Sequence, residues 1–389
     1  MKALCWFDPK DVRLEDVSDP AILSSRDAIL KVTSTAICGT DLHVYNGYLP
    51  RVEKGTILGH EFMGEVVELG KDSPLLKGER LVVSGVISCG GCFYCNQGLT
   101  SLCDNSNPNG WMTRELFGYP TAGVFGMSAF AGGYAGGQAE YVRVPYADSN
   151  TVHVPDELED SQVLFLSDIL PAAYMAVERA QIEPGDTVAV WGCGPVGQLV
   201  IRCCYLLGAR RVIATDRFPH RLEMAQEYGK AEVFDYEQRE DVVEELKERT
   251  GGIGPDVCID AVGMEAHSSK MDGLYDRAKQ ALRMPLDRIH VLREAIQACR
   301  KGGTISAAGY YAGYADKFPL GIAFAKGLTI RMGNVNVQHY VEPLLEWIRR
   351  GDLDASYIVS HELKLDDAPL AYEVFNRKED ECVKIVLKP

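Results

Sequence analysis

The sequence predicts an α/β fold with two domains, one rich in β-strands and one built on a doubly wound parallel sheet. In the first third of the chain, apolar residues alternate with polar ones, as at Ala28, Leu30 and Val32, which is typical of half-buried strands. From residue 187 to about residue 332, strand-like runs alternate with helical ones, and this order favours a parallel sheet with helices on both faces. A chain of 389 residues is long enough to form two hydrophobic cores.

The composition is that of a globular protein and indicates neither nucleic acid nor a membrane as a partner. Hydrophobic residues make up 46% of the chain, and 40 basic against 55 acidic side chains give a net charge of −15 without a basic cluster. No apolar run reaches the roughly 18–20 residues that span a bilayer, and charged residues follow the N-terminus too soon for a signal peptide. We therefore expect a cytoplasmic protein, whose 12 cysteines serve as metal ligands or buried thiols rather than in disulfides.

A short stretch of the β-rich domain concentrates side chains that bind metals. Cys38, His60 and Glu61 supply a thiolate, an imidazole and a carboxylate, and zinc accepts these three donor types together. Thr40 and His43 follow Cys38 closely, so a hydroxyl and a second imidazole lie near whatever the metal binds and can transfer a proton. Taken singly, a cysteine and a histidine are more often ordinary buried residues, so the prediction of a metal site depends on the segments that follow.

Four cysteines further along the chain have the spacing of a closed metal site. They are Cys89, Cys92, Cys95 and Cys103, separated by glycine and by polar turn residues. Four thiolates at such spacing can surround one ion tetrahedrally. Because no position is left for water or substrate, an ion held there is structural. An iron–sulfur cluster is the alternative for the same four ligands.

Asp168 is a single carboxylate within an apolar run of residues. A charge in such a place is costly unless it is paired, caps a helix or binds a metal. Pro171 is typical of a helix start, which favours the role of a cap. A fourth ligand for the first metal is also missing, so the residues leave both roles open.

A glycine-rich turn in the second domain has the context of a dinucleotide-binding motif. It runs from Gly192 to Gly197, follows the strand at 187–191 and opens an apolar helix, so the backbone can approach a pyrophosphate that the helix N-terminus stabilises. Asp216 ends the next strand, where a carboxylate accepts the ribose hydroxyls and repels a 2′-phosphate, which favours NAD over NADP. Arg217 follows it directly and softens that preference. The residues assigned to the nucleotide are Gly192, Gly194, Pro195, Val196, Gly197, Asp216, Arg217 and Arg221.

The rest of the chain completes the parallel sheet and then returns to the first domain. An extra stretch near residues 264–288 contains several basic residues, and it either covers the cofactor or forms a solvated insertion. Strand-like segments after residue 334 are expected to rejoin the β-rich domain. The predicted domains are therefore 1–168 with 334–389, which includes the four-cysteine lobe at 89–103, and 169–333.

Taken together and in this order, the motifs resemble those of the zinc-containing medium-chain alcohol dehydrogenases over essentially the whole chain. The resemblance rests on Cys-Gly-Thr-Asp-x-His at 38–43, Gly-His-Glu at 59–61, the four-cysteine lobe and the glycine turn. Within the family, the segments 136–148 and 166–171 and the insertion after Gly263 are similar to the glutathione-independent formaldehyde dehydrogenase and dismutase branch.

The resemblance implies a GroES-like catalytic domain, a Rossmann domain for NAD, and two zinc ions per chain, one catalytic and one structural. It implies that Cys38, His60 and Asp168 bind the catalytic zinc. Glu61 is then a nearby carboxylate that exchanges with water or substrate. Asp168 stands where many members of the family have a cysteine. A homo-oligomer, either a dimer or a tetramer, is also implied.

The implied function is that of a zinc-dependent oxidoreductase that transfers hydride between NAD and an alcohol or a hydrated, formaldehyde-type aldehyde. Thr40 and His43 match the residues that carry the substrate proton to solvent in this family. Threonine or polyol oxidation is the alternative, because the segment 38–43 is also similar to dehydrogenases of those substrates. A non-catalytic nucleotide-binding protein of the same fold is a hypothesis of a different class, and the complete set of metal and relay residues argues against it. If the insertion retains the cofactor, oxidation and reduction can alternate on one NAD and give a dismutase.

Overall fold

The computed structural model describes residues 1–264, 266 and 287–389. These residues form two compact units, Met1–Pro171 with Val335–Pro389 and Ala172–Asn334. Most of the predicted insertion near 264–288 lies outside the described residues, so its role in covering the cofactor stays a prediction. Among the helices that are described, none has the length and apolarity that a membrane crossing requires.

Strands and α-helices occur along the whole of the described chain. In chain order, the strands are β1 (Lys2–Asp8), β2 (Asp11–Asp16), β3 (Ala28–Ile37), β4 (Thr56–Ile57), β5 (Glu61–Leu69), β6 (Arg80–Val83), β7 (Val86–Ile87), β8 (Gly123–Val124), β9 (Tyr141–Val144), β10 (Thr151–His153), β11 (Thr187–Trp191), β12 (Arg211–Asp216), β13 (Glu232–Asp235), β14 (Val257–Asp260), β15 (Thr304–Ala307), β16 (Thr329–Arg331), β17 (Val359–Lys364) and β18 (Lys384–Lys388). The helices are α1 (Gly39–Tyr45), α2 (Phe93–Asn96), α3 (Gly110–Phe117), α4 (Ala147–Asn150), α5 (Asp160–Val163), α6 (Ile169–Ala180), α7 (Pro195–Leu206), α8 (Pro219–Glu227), α9 (Val242–Arg249), α10 (His290–Ala298), α11 (Leu320–Lys326), α12 (Val337–Arg349) and α13 (Ala368–Arg377).

The first unit is built around strand β3. Its main sheet has the order β10-β6-β5-β3-β18-β17, and β9 also pairs with β3. The last strand of the chain, β18, runs antiparallel to β3 and completes this sheet. In register, Ala36 of β3 lies opposite Glu61 of β5, and Ile37 lies opposite Ile385 of β18. The first residues of β5 and β18 are therefore placed on either side of the end of β3.

Strand β3 is more buried than its alternating sequence predicts. Only Lys31 is exposed along the strand, and all residues from Ser34 to Ile37 are buried. The buried hydroxyl groups are satisfied, since Thr35 Oγ1 donates a hydrogen bond to the carbonyl oxygen of Glu61 at 2.8 Å. The prediction of a half-buried strand is wrong for β3, because this central strand is covered on both faces.

The second unit contains a parallel sheet in the order β13-β12-β11-β14-β15-β16. Every residue of β11 is buried, as expected for a strand covered by helices on both faces. The chain order of the strands reverses between β11 and β14, and in such sheets ligands bind at the carboxyl ends of the strands beside this switch point. The predicted α/β fold class with a doubly wound parallel sheet is confirmed.

Candidate active site

Four predicted metal-binding side chains come together in the first unit. One donor atom from each of Cys38, His60, Glu61 and Asp168 lies within 4.8 Å of the others. Cys38 lies between β3 and α1, and His60 and Glu61 lie where β5 begins. Asp168 follows a 3₁₀ turn and directly precedes α6. Residues that are far apart in sequence thus form one cluster.

Three members of the cluster are buried and Asp168 is partly exposed, and the charges of the cluster favour a cation. His60 Nε2 lies 3.4 Å from Asp168 Oδ2, and Cys38 Sγ lies 3.9 Å from the same oxygen. Burial alone would lower the pKa of His60, but the charges of Asp41 and Cys38, with hydrogen bonds to carboxylates, outweigh burial and raise that pKa well above its usual range. A site that stabilises a proton on a buried imidazole also stabilises a metal cation. The thiolate, imidazole and carboxylate donors fit zinc.

Asp41 orients the imidazole of His60, although it was not among the predicted site residues. Its Oδ1 lies 3.0 Å from His60 Nδ1, and its Oδ2 accepts the backbone N–H of Cys38 at 2.9 Å. A carboxylate at Nδ1 keeps the proton on that nitrogen and leaves Nε2 with a lone pair for a metal. The signal in the sequence is the position of Asp41, three residues after the helix N-cap Cys38, where an acidic side chain accepts the N–H of the N-cap.

Replacement of Asp41 by asparagine is expected to weaken metal binding at this site by roughly 10–100-fold. The amide oxygen still accepts the N–H of Cys38, but the NH₂ group then faces His60 Nδ1 and favours the tautomer with its proton on Nε2. Metal content during titration with a chelator measures the change. Asp27→Asn is the control, because Asp27 is equally buried but lies outside the cluster. An unchanged chelator midpoint in Asp41→Asn would show that Asp41 does not orient the imidazole.

The predicted relay residues lie on helix α1, directly after Cys38. Residues three apart share one side of a helix, so Thr40 and His43 lie on the same side of α1. Thr40 Oγ1 is 3.8 Å from Cys38 Sγ, and His43 is buried. The structure places a hydroxyl beside the metal donors and an imidazole one turn further along. Their role as a proton relay stays a prediction.

Lys384 lies beside the cluster and was not predicted. It is fully buried, and its Nζ lies 2.8 Å from Oε1 and 2.7 Å from Oε2 of Glu61. The signal in the sequence is a single lysine at the start of the apolar strand β18. A charged residue in a buried strand requires a partner, but the sequence does not indicate which residue provides it.

A second cluster consists of the four cysteines Cys89, Cys92, Cys95 and Cys103. The sulfur of Cys95 is 3.5 Å from that of Cys92 and 4.0 Å from that of Cys89. Four thiolates that surround one zinc with bonds of about 2.3 Å are separated by about 3.8 Å. Burial alone would raise the pKa of Cys89, but hydrogen bonds from the backbone of Gly91 and Cys92 outweigh burial and lower it to about 7. The spacing and the thiolate chemistry fit a structural zinc.

In the second unit, the glycine turn joins β11 to α7. Gly192 has a φ of +92°, which glycine adopts without strain. A Cβ on Gly197 would lie 1.9 Å from the carbonyl oxygen of Gly192, so a side chain cannot be placed there. Gly194 is the N-cap of α7, and Pro195 and Val196 begin its first turn. The turn therefore brings the N–H groups of a helix start to the carboxyl end of β11, where such motifs bind a pyrophosphate.

Asp216 ends β12 and ties this turn to the neighbouring strand. One carboxylate oxygen accepts the N–H of Cys193 at 2.7 Å, and the other accepts the N–H of Arg217 at 2.6 Å. The guanidinium of Arg217 forms an ion pair with the carboxylate of Glu237, with an N–O distance of 3.2 Å. Arg221 lies nearer the turn, since one guanidinium nitrogen is 3.5 Å from the place where a Cβ would stand on Gly194. One carboxylate and one arginine therefore border the glycine turn.

Two buried polar residues form hydrogen bonds at the carboxyl ends of the parallel strands, and neither was among the predicted site residues. Gln198 Nε2 donates hydrogen bonds to the carbonyl oxygens of Cys193 and Arg221, both at 2.9 Å. Asp260, at the end of β14, accepts a hydrogen bond from the hydroxyl of Tyr311. In the sequence, each of them is a polar residue within an apolar run, which indicates that its side chain is buried and needs a hydrogen-bond partner.

The chain matches known proteins over its whole length. Residues 24–156 match the family model of the alcohol dehydrogenase GroES-like domain, and residues 195–278 match that of the zinc-binding dehydrogenases. The chain is 42% identical to the zinc-type alcohol dehydrogenase-like protein AdhB of Bacillus subtilis, with 100% of both chains covered. It is 32% identical to the formaldehyde dismutase of Pseudomonas putida, with 100% of this chain and 97% of that relative covered.

Solved structures give the same result. The alcohol dehydrogenase TADH from Thermus sp. ATN1 is 34% identical, with a TM-score of 0.81 and coverage of 100% of this chain and 99% of that chain. The GroES-like domain that the sequence resemblance implied is confirmed. The match to the zinc-binding dehydrogenases and the four-cysteine cluster together identify zinc as a cofactor. The chain therefore belongs to the zinc-containing medium-chain alcohol dehydrogenases, a family of oxidoreductases.

Proposed function

We propose that this enzyme oxidises an alcohol or a hydrated, formaldehyde-type aldehyde with NAD. The observation that carries the proposal is the cluster of Cys38, His60 and Asp168, in which Asp41 orients the imidazole. Zinc held by these three side chains supplies a Lewis acid that polarises the substrate oxygen. The similarity to a formaldehyde dismutase over the whole chain supports an aldehyde hydrate as one class of substrate.

The residues of the chain have separate tasks in this proposal. Cys38 and Asp168 carry two negative charges, which balance a divalent ion, and His60 adds a neutral donor. The hydroxyl of Thr40 accepts the substrate proton at Oγ1 and releases its own proton toward the imidazole of His43, which passes a proton on through its ring nitrogens. Loss of this proton prepares the substrate carbon to give up a hydride. NAD supplies the acceptor for that hydride.

NAD rather than NADP is proposed because of Asp216. A carboxylate at this strand end accepts the ribose hydroxyls and repels a 2′-phosphate. Asp216→Gly is expected to raise the KM for NAD roughly 10–100-fold, since hydrogen bonds to a charged group contribute about 1.5–3 kcal/mol. It is also expected to relax the discrimination against NADP. Values of kcat/KM with the two nucleotides measure both effects.

Asp216→Asn separates the charge from the structural role of this residue. An asparagine oxygen still accepts the N–H of Cys193, so the link to the glycine turn is kept, while the contact with the N–H of Arg217 and the repulsion of a 2′-phosphate are lost. Asp235→Asn is a matched control, because Asp235 lies opposite Asp216 at the end of the neighbouring strand β13. An unchanged ratio of kcat/KM for NAD and NADP in both Asp216 variants would show that the ribose is held elsewhere.

Assays of the purified enzyme distinguish the proposed substrates from the alternatives. Metal content and co-purifying nucleotide are measured first, and formaldehyde, primary alcohols, threonine and polyols are then tested with and without added NAD. Turnover confined to threonine or polyols would favour the alternative substrates, and nucleotide binding without any turnover would favour a non-catalytic role. Disproportionation of formaldehyde without added NAD would indicate a dismutase. A homo-oligomer, either a dimer or a tetramer, is expected in light scattering.

A further inference from the structure

The ion pair between Lys384 and Glu61 is fully buried beside the metal donors. The side chain of Lys384 is 1% exposed and that of Glu61 is 0% exposed. Strand pairing fixes both residues, because β5 and β18 flank the end of β3 on opposite sides. The ammonium also lies 5.6 Å from the centre of the Phe165 ring, within the range of a cation–π contact. The position of this charge is therefore set by the fold and not by a mobile side chain.

Glu61 lies within reach of two different cations. Its carboxylate is part of the cluster in which all donor atoms lie within 4.8 Å of one another, so a metal at that cluster is close to it. The same carboxylate has the ammonium of Lys384 at 2.7 Å and 2.8 Å. Each carboxylate oxygen carries two lone pairs, so contact with the ammonium does not exhaust the capacity of either oxygen. One carboxylate oxygen thus keeps lone-pair capacity for a metal while the ammonium holds the group in place.

The charges around the metal site indicate the effect of the ion pair between Lys384 and Glu61. The thiolate of Cys38 and the carboxylate of Asp168 balance the two charges of a zinc ion. A third anionic ligand would reduce the Lewis acidity of the ion and would occupy the position that a substrate oxygen needs. The ammonium of Lys384 balances the remaining carboxylate of Glu61 instead.

We propose that Lys384 is a positioning residue that competes with the catalytic zinc for Glu61 and so keeps one coordination position open for substrate. This inference rests on the proposed function, because it assumes that a metal binds at Cys38, His60 and Asp168. It assigns Lys384 a role in the chemistry of the metal without contact to the substrate. Among the described residues, no other cation forms an ion pair with Glu61, so loss of the ammonium turns Glu61 toward the metal, and Glu61 then becomes a ligand.

The test uses the cobalt-substituted enzyme, because visible absorption of cobalt reports its coordination number. The spectrum of Cys38→Ser is subtracted so that the remaining absorption belongs to the catalytic site. In Lys384→Met, the absorption is expected to weaken toward that of a higher coordination number. Release of the metal to a chelator is expected to slow by roughly 10–100-fold, and kcat is expected to fall. Lys384→Arg keeps the positive charge and is expected to resemble the wild type.

The double variant Lys384→Met/Glu61→Gln separates this role from a merely structural one. Without the carboxylate there is no competing ligand, so the double variant is expected to recover the wild-type spectrum and rate of metal release. If the lysine acts only by filling the interior, the double variant is expected to be as perturbed as the single one, and the proposal is overturned. The proposal is also overturned if Lys384→Met shows the wild-type spectrum and release rate.

A further variant covers the case in which Lys384→Met does not fold, since an unpaired buried carboxylate is strongly destabilising. Glu61→Gln alone is expected to release metal at the wild-type rate, because Glu61 is not a ligand in the wild type. Release that is tenfold faster or more would identify Glu61 as a resident ligand and overturn the proposal. A wild-type enzyme whose cobalt spectrum does not differ from that of Cys38→Ser would instead contradict the proposed function itself.

Discussion

Cys38→Ser is expected to lower kcat/KM by about 10³-fold or more and to reduce the zinc content from two ions per chain to one. A Lewis-acid metal contributes several kcal/mol to the stabilisation of the transition state, and each 1.36 kcal/mol corresponds to a factor of about ten in rate. A serine hydroxyl stays neutral near neutral pH, so the cluster loses one of its two balancing charges and its thiolate donor. The structural zinc is retained because its four cysteines are unchanged.

Elemental analysis and steady-state kinetics on the same preparation test this expectation. Cys5→Ser is the matched control, because Cys5 is another buried cysteine of the first unit and lies outside both clusters. This control is expected to keep two zinc ions and the wild-type kcat/KM. Normal activity in Cys38→Ser, or a zinc content that stays at two, would contradict the assignment of Cys38 as a ligand.

Sequence spacing was sufficient wherever the functional residues are close together in the chain. The glycine turn from Gly192 to Gly197 is defined by the strand before it and the helix after it, and both elements are present in the structure. The same holds for the four cysteines at 89–103, which lie within 15 residues of one another in the chain and come together in the structure. In such cases the local backbone determines the geometry, so the pattern of residues is enough to predict it.

The sequence could not predict contacts between residues that are far apart in the chain, because the tertiary fold determines them. Glu61 and Lys384 are 323 positions apart and meet only because the last strand pairs with β3. For Asp168, the residues left open both a helix cap and a metal ligand. The structure places it directly before α6, as a cap requires, and also 3.4 Å from His60 Nε2, as a ligand requires. The pattern of residues contains no information about that second distance.

Cys103→Ala is expected to remove the structural zinc, to open the lobe at residues 89–103 to proteases and to lower the Tm by roughly 10 °C. Structural zinc contributes directly to folding free energy. The ion matters most for the tip of the lobe, because none of the residues of α2 (Phe93–Asn96) is buried. A loss of about 3–5 kcal/mol would shift the Tm of a unit of this size by about 2–4 °C per kcal/mol. Calorimetry and zinc content measure the two global effects.

Chymotrypsin gives the local measurement, because Phe93 is 70% exposed and Tyr94 follows it within the lobe. The lobe contains no lysine or arginine, so trypsin reports only on unfolding elsewhere. Ser101 Oγ donates a hydrogen bond to Asn336 at 2.8 Å and ties one end of the lobe to the rest of the unit, so we expect fast chymotryptic and slow tryptic cleavage in the variant. Equal acceleration by both proteases would show that the ion stabilises the whole unit. An unchanged zinc content and an unchanged rate of chymotryptic cleavage would show that the four cysteines hold no ion.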